Sequence, residues 1–221
     1  AYRATGARLS TNDYYQFGLA YAAVDSCEGA IAMFDKIVGR GDSMAQDAYY
    51  QLAGCYLELG QKSESFNAYS SAAGMPYNAR IVELSRFNAA KIAYEIGGIG
   101  VNPAALLRSF LKDFPGSEFY NEAARYLVDV YLKMKDYGLA LESLASLPMD
   151  DPKLALAHQR VAFYTGVERY ENRLWADAIT MFNRSQKYPN DPVLFSRAQF
   201  WEAEAMYNLK RYEEALMLYT D

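Results

Sequence analysis

The sequence repeats about every 37 residues, and this repeat constrains the fold more than any other feature. Tyrosines recur at positions 21, 56, 94 and 131, and Arg169 and Met206 continue the series, each with a Tyr directly after it. The intervals are 35, 38, 37, 38 and 37 residues. We refer to these six positions as the anchors. A period of roughly 20–50 residues indicates stacked copies of one small unit, in which neighbouring copies share a core.

Residues before each anchor follow a helical spacing. Tyr14, Phe17, Gly18 and Tyr21 are three or four residues apart, which is typical of one buried helix face. A small residue three positions before an anchor lets a second helix approach closely. That second helix carries a large apolar residue 13 positions after the anchor, namely Phe34, Tyr69, Leu107, Leu144, Phe182 or Tyr219. The pattern predicts two antiparallel helices in each repeat, joined by a short turn.

Turn-forming and helix-breaking residues fall between the predicted helices. The turns within the repeats are predicted at Asp25-Ser26, Gly60-Gln61, Gly97-Gly98, Lys135-Asp136, Asn172-Arg173 and Lys210-Arg211. The ends of repeats are predicted at Pro76, Pro115, Pro152 and Pro189, with Pro148 and Pro192 in the same loops. Pro103 follows Asn102 and is expected in the first turn of a helix, because proline deeper in a helix costs about 3 kcal/mol. Sustained alternation, the pattern of strands, is absent.

Composition argues against several classes of protein. Hydrophobic residues make up 52% of the chain, which is enough for a sizeable core and argues against disorder. A net charge of −5 argues against a nucleic-acid partner, since the phosphate backbone attracts a basic surface. No apolar run approaches the ~20 residues of a membrane span. We therefore expect no nucleic acid, no cofactor and no membrane insertion in this segment.

Soft metal ligands are scarce in the chain. The chain has one His, His158, and two Cys, which argues against a zinc site. Gly-x-Ser-x-Gly and His-Glu-x-x-His are absent, and the glycines at 97, 98 and 100 lack the Gly-Lys-Ser/Thr of a phosphate loop. We expect no metal and no enzyme activity, with His158 in a structural or surface role. Cys27 and Cys55 are expected to be free thiols, with a disulfide between them as the alternative.

The repeats resemble the tetratricopeptide repeat family, in which an aromatic, Leu-Gly and Tyr on one helix precede Ala, an aromatic and a closing Pro. The first repeat shows this as Tyr14, Phe17-Gly18, Tyr21, Ala30 and Phe34. The resemblance implies an all-α fold, a right-handed superhelical solenoid of about five full repeats plus a truncated sixth. Residues 1–10 are expected to form a lead-in and residues 11–221 the solenoid. Its repeats are predicted to start near residues 11, 46, 84, 121, 159 and 196.

Some segments are similar to a narrower group, the large multi-repeat envelope proteins of Bacteroidetes-type bacteria that are often grouped with Tol-Pal accessory proteins. The similar segments are FNAAKIAYEIG, FLKDFPGSEFYNEAARYLVDVYL and FWEAEAMYNLKRYEEA. This resemblance implies a periplasmic or envelope-associated location, with a cytoplasmic one as the alternative. It also implies that the chain is an internal segment, in contact with further repeats of the same parent chain. The sequence starts without Met and ends directly after a helix-like run. Both features are also interpreted as those of an internal segment.

The family resemblance also implies a binding site, because the first helix of each tetratricopeptide pair lines a concave groove. Groove-facing positions lie six and two residues before the anchor and one after it. The predicted partner-binding residues are Tyr15, Tyr50, Asn88, Arg125, Phe163, Tyr170, Phe200 and Tyr207. Aromatic residues are enriched among those that anchor protein interfaces. We therefore predict a scaffold that binds a peptide or protein segment in the groove.

Two alternatives stay open for these residues. Most aromatics in such repeats pack between helices, and the solenoid is alternatively a structural spacer or assembly element of a larger envelope protein. Arg160 and Arg197 occupy matching places in two repeats. They are interpreted as solvated surface residues, with attraction of an acidic segment as the alternative.

Overall fold

A computed structural model describes residues 9–97, 100–145 and 152–220. These residues form twelve α-helices and no strand, which confirms the predicted all-α fold. The chain divides into two compact units, residues 1–119 and residues 120–221. We refer to them as the N-terminal unit and the C-terminal unit.

The helices alternate between the first and second members of pairs. In the N-terminal unit they are α1 (Thr11–Ala22), α2 (Cys27–Phe34), α3 (Ser43–Glu58), α4 (Lys62–Ala73), α5 (Ala79–Ile96) and α6 (Pro103–Asp113). In the C-terminal unit they are α7 (Tyr120–Lys133), α8 (Tyr137–Ala145), α9 (Pro152–Glu171), α10 (Trp175–Gln186), α11 (Pro192–Asn208) and α12 (Tyr212–Thr220). Each odd-numbered first helix packs on the even-numbered second helix that follows it.

A residue in the left-handed backbone conformation lies in the turn of every described pair. These residues are Asp25, Gly60, Gly97, Lys135, Arg173 and Lys210, with φ between 56° and 80°. Where the residue after the turn residue is described, its N–H donates to the anchor carbonyl, as from Ser26 to Tyr21 at 3.0 Å and from Arg211 to Met206 at 2.9 Å. Such a bond satisfies a carbonyl that the end of the helix leaves without a partner. The predicted turn positions are confirmed, except that Gly98 lies outside the described residues.

Prolines begin helices more often than the sequence predicts. Pro103 is the first residue of α6 behind the capping side chain of Asn102, as expected. Pro152 and Pro192, which were predicted to lie in the loops that end repeats, instead begin α9 and α11. The prediction is wrong here because the first helical position needs no N–H donor and suits the fixed φ of proline. Pro148 lies outside the described residues. First helices thus begin at 43, 79, 152 and 192, ahead of the predicted repeat starts near 46, 84, 159 and 196.

Two glycines allow the helices of a pair to pack at short range. A Cβ atom on Gly18 would lie 2.5 Å from the ring of Phe34, and one on Gly166 would lie 2.6 Å from the ring of Phe182. Both rings are fully buried. Any larger residue would force these rings to shift, so the small residue three positions before the anchor has the predicted packing role.

Two buried glutamines connect the loops to the helices. The Gln46 Nε2 atom donates to the carbonyl of Ala72 at 3.1 Å, and its Oε1 accepts from the N–H of Asn78 at 2.7 Å. Gln159 donates to the carbonyl of Asp191 at 2.9 Å and accepts from its N–H at 2.7 Å. Both glutamines lie ten residues before an anchor, and their partners Asn78 and Asp191 cap α5 and α11. They therefore fix where the next first helix begins.

The cysteines and the histidine are buried. Cys27 and Cys55 are free, as expected, and the Cys27 thiol donates to Glu58 Oε2 at 3.1 Å. Burial raises the pKa of both thiols, so they stay protonated at neutral pH. His158 stacks on Tyr188 with ring centroids 5.2 Å apart. Burial, with a smaller effect from a nearby arginine, lowers the pKa of His158, so its ring is a neutral packing group.

Candidate binding surface

The first helices of each unit lie side by side. In the N-terminal unit α3 contacts both α1 and α5, and in the C-terminal unit α9 contacts both α7 and α11. We define the N-terminal surface as the outward faces of α1, α3 and α5, and the C-terminal surface as those of α7, α9 and α11. The predicted partner-binding residues all lie on these six helices.

Four predicted aromatic contacts pack against the second helix of their own pair. In each case the partner ring lies 19 residues further along the chain, in the following pairs: Tyr15 with Phe34, Tyr50 with Tyr69, Phe163 with Phe182, and Phe200 with Tyr219. Their centroid distances are 6.2, 5.8, 6.0 and 6.2 Å. Distances of this size are typical of stabilising aromatic pairs. The main role of these residues is therefore to stabilise the packing of the two helices in each pair. Only the exposed parts of their rings can contact a partner.

The exposure of these four aromatics differs widely. Tyr15 and Tyr50 are half-buried, and Phe200 is 50% exposed. Phe163 is 1% exposed, because Phe182 and the guanidinium of Arg197 cover its ring. A buried ring has no surface for a partner, so the interpretation of Phe163 as a groove contact is wrong and it is a core residue.

Asn88 and Arg125 occupy the same register as these aromatics. The Asn88 side chain donates to the Leu84 carbonyl at 2.9 Å, one turn back on α5, so its amide is already engaged. The Arg125 guanidinium lies over the ring of Tyr126, 5.1 Å from its centroid. The Arg125 Nε atom is buried without a hydrogen-bond partner among the described residues. Arg125 is thus stacked on the ring of Tyr126, and its guanidinium has an N–H group that no described residue accepts.

Tyr170 and Tyr207 follow their anchors and differ in environment. Tyr170 contacts Trp175 and Trp201 edge to face, at 4.7 and 5.0 Å, and its hydroxyl accepts from Asn208 at 3.1 Å. It is therefore built into an aromatic cluster. Tyr207 is 57% exposed and contacts Tyr212 at 5.2 Å. Tyr207 is the most exposed of the predicted aromatic contacts.

The residue nine positions before an anchor contacts the preceding first helix in both units. It is acidic in the N-terminal unit and basic in the C-terminal unit. In the N-terminal unit the Asp47 carboxylate accepts the hydroxyl proton of Tyr15. Burial and this bond raise the pKa of Tyr15, so the phenol stays protonated. In the C-terminal unit Arg197 lies over the ring of Phe163 at 5.1 Å, and Arg160 lies 3.6 Å from an oxygen of Asp129. Arg160 and Arg197 are not among the predicted partner-binding residues, although their shared distance from the anchors marks them as a matched pair.

The two surfaces offer aromatic and charged groups for binding. Within the described ranges, no three metal-binding side chains converge. None of the helices in this part of the chain combines the length and apolar character of a membrane span. The two surfaces carry partly exposed rings beside fixed charges.

Comparison with known proteins agrees with this architecture. The sequence profile of the tetratricopeptide repeat family matches residues 15–79 and 156–221, which is more than half of the chain. The chain belongs to the tetratricopeptide repeat family. The two matched stretches contain the paired features described above, including Gly18 and Gly166.

Solved structures give two distant similarities. The crystal structure of the P58(IPK) TPR domain superposes with a TM-score of 0.43 and 15% identity, over 95% of this chain and 59% of that one. The complex of the TPR2AB domain of yeast Sti1 with pHSP90 superposes with a TM-score of 0.42 and 15% identity, over 94% of this chain and 87% of that one. The chain thus spans less than two thirds of the P58(IPK) structure. A comparison with curated protein sequences gives no significant match.

Proposed function

We propose that this protein is a non-catalytic interaction scaffold that binds a peptide or protein segment on the first-helix surfaces of its repeats. Family membership supports this role. The observation that carries it is the contact of successive first helices within each unit, which places partly exposed aromatics beside charged groups. Exposed aromatic residues of this kind are enriched among the hot spots of protein interfaces.

A displayed peptide library, panned against the folded chain, tests this proposal. Peptides that emerge are titrated by fluorescence anisotropy against the wild type and against Tyr207→Ala. We expect about tenfold weaker binding in the variant, because a central aromatic contact contributes more than ~1 kcal/mol. Tyr77→Ala is the matched control, since Tyr77 is 51% exposed but lies in a loop, off both surfaces. Selection of no peptide, or equal effects of the two variants, would contradict the proposal.

A second candidate role is a spacer or assembly element within a larger envelope protein. One observation favours it: α12 exposes Leu216 at 63% and Met217 at 61%, and these apolar side chains suit burial under a further packed element. A photo-crosslinking residue at 216 tests it in the cells that make the protein. Crosslinks within one polypeptide support the spacer role, while crosslinks from position 207 to a separate polypeptide support the scaffold role.

A periplasmic or envelope-associated location is part of this second proposal and rests on sequence resemblance. Osmotic-shock fractionation of the producing cells tests it. Recovery in the released fraction supports the envelope location, and recovery only with cytoplasmic enzymes contradicts it.

A further inference from the structure

Three arginines lie on consecutive first helices of the C-terminal unit. Arg125 is on α7, Arg160 on α9 and Arg197 on α11. Helix α9 contacts both of its neighbours in this set. Arg160 and Arg197 occupy the same register, nine residues before their anchors, and Arg125 lies on its helix six residues before its anchor, one turn from that register. We refer to these three residues as the arginine row.

The positive charge of the arginine row exceeds the negative charge that its own contacts supply. Arg160 is 3.6 Å from Asp129 Oδ1, which is a long ion pair, while Lys133 is 2.9 Å from the other oxygen of the same carboxylate. One carboxylate thus serves at least two cations. Arg125 and Arg197 have no carboxylate within 4.0 Å among the described residues. Their contacts are the ring faces of Tyr126 and Phe163.

The acidic side chains of α11 are engaged by other partners. Glu202 is buried and accepts from Asn183 at 2.8 Å and from Gln186 at 2.6 Å. Glu204 accepts the hydroxyl of Tyr219 at 2.5 Å. These neutral donors hold the two carboxylates against α10 and α12. The row therefore keeps unused donors, since a guanidinium stacked on a ring still presents its N–H groups at the edge.

We propose, resting on the scaffold function above, that the arginine row binds an acidic peptide segment through its side-chain carboxylates. Each guanidinium forms two parallel hydrogen bonds with one carboxylate. Neighbouring helices are about 8–10 Å apart. In the polyproline II conformation a chain rises about 3.1 Å per residue with three residues per turn, so every third side chain lies on the same side, about 9 Å from the previous one. Acidic residues at every third position of a segment in this conformation therefore match the row. A nucleic acid is disfavoured, because its continuous phosphate backbone would extend past three guanidiniums over a protein with a net charge of −5, whereas a short acidic segment places its charges on the row alone.

Fluorescence anisotropy with a labelled nine-residue peptide, carrying Glu at positions 2, 5 and 8, tests the proposal on the full chain. We expect saturable binding that the double variant Arg160→Gln and Arg197→Gln weakens at least tenfold. Arg160→Lys retains part of the affinity, because an ammonium keeps the charge without the planar fork. Arg108→Gln, an exposed arginine of α6, is the matched control and leaves the affinity unchanged. Unchanged helical content by circular dichroism confirms that the variants fold.

Each other outcome overturns the inference. Equal affinity of the wild type and the double variant would show that the row is not the site. Displacement of the peptide by an equally charged RNA oligomer at lower concentration would assign the row to nucleic acid. Failure of the acidic peptide to bind, while peptides of other chemistry bind through Tyr207, would overturn this inference and leave the scaffold function standing.

Discussion

The N-terminal and C-terminal units have similar interiors and differ in the chemistry of their outer faces. Tyr15 packs on Phe34 in one unit, and Phe163 packs on Phe182 in the other, at nearly the same distance. At the matching place on the next first helix, a carboxylate contacts the tyrosine and a guanidinium contacts the phenylalanine. Packing within a helix pair therefore restricts which residues the inner face can carry. The charge of the outer face differs between the units.

The largest expected effect tests whether the interiors are equivalent. Phe34→Ala and Phe182→Ala each remove a fully buried ring that lies against a glycine. We expect each to lower the free energy of unfolding by about 3–5 kcal/mol, through lost burial and the cavity left behind. Urea unfolding followed by circular dichroism measures this loss. A loss below ~1 kcal/mol for either variant would show that the two buried rings do not contribute equally to the stability of their units.

The buried glutamines provide the next test of equivalence. Gln46→Ala and Gln159→Ala each remove the acceptor of a part-buried backbone N–H, that of Asn78 or that of Asp191. We expect a loss of about 1–3 kcal/mol in each case. The control is Gln16→Ala, an exposed residue of α1 that should be nearly neutral. If only one of the two glutamine substitutions lowers the free energy of unfolding, the glutamine–loop hydrogen bonds do not stabilise both units.

A pH effect should distinguish the units, because the only His of the chain lies in the C-terminal unit. The pKa of His158 is lowered in the folded state, so the unfolded state binds the proton first as the pH falls below about 6.5. The stability that the neutral ring contributes is therefore present above this pH and decreases below it. His158→Phe keeps a ring against Tyr188 and removes the titration. From pH 7.5 to pH 5.5 the urea midpoint should fall further in the wild type than in His158→Phe. An equal fall in the two proteins would show that His158 does not cause the pH effect.

The smallest expected effects concern the outer faces. Tyr15→Phe removes the hydroxyl contact with Asp47, and Arg197→Gln removes the charge over Phe163. We expect each to cost about 1 kcal/mol or less, as partly exposed contacts do. Urea unfolding again provides the measurement. A cost above ~2 kcal/mol would show that the outer chemistry is also part of the packing.

The sequence predicts the features that repeat in every pair. Asp25 and Lys210 were predicted as turn residues from the spacing alone, and both adopt the left-handed conformation that the turn needs. The loops between pairs were less predictable, because a proline can end one element or begin the next, as Pro152 does.

The candidate site was predicted only in part. Position in the repeat places a residue on the outward face but does not say what the neighbouring helix lays over it. Phe163 and Phe200 occupy the same register, yet one is buried under Arg197 and the other is half exposed. The sequence also does not show whether a carboxylate neutralises Arg197. That depends on the hydrogen-bond partners of Glu202 and Glu204, which only the structure reveals.

The most direct test of the outer-face difference is a nuclear magnetic resonance titration of the isotope-labelled chain with the peptide that carries Glu at every third position. We expect shifts of the Arg160 and Arg197 side-chain signals and of the α7, α9 and α11 backbone signals. The signals of α1, α3 and α5 should stay unchanged, because Asp47 repels the peptide there. Equal or larger shifts in the N-terminal unit would show that the arginine row does not select the acidic peptide.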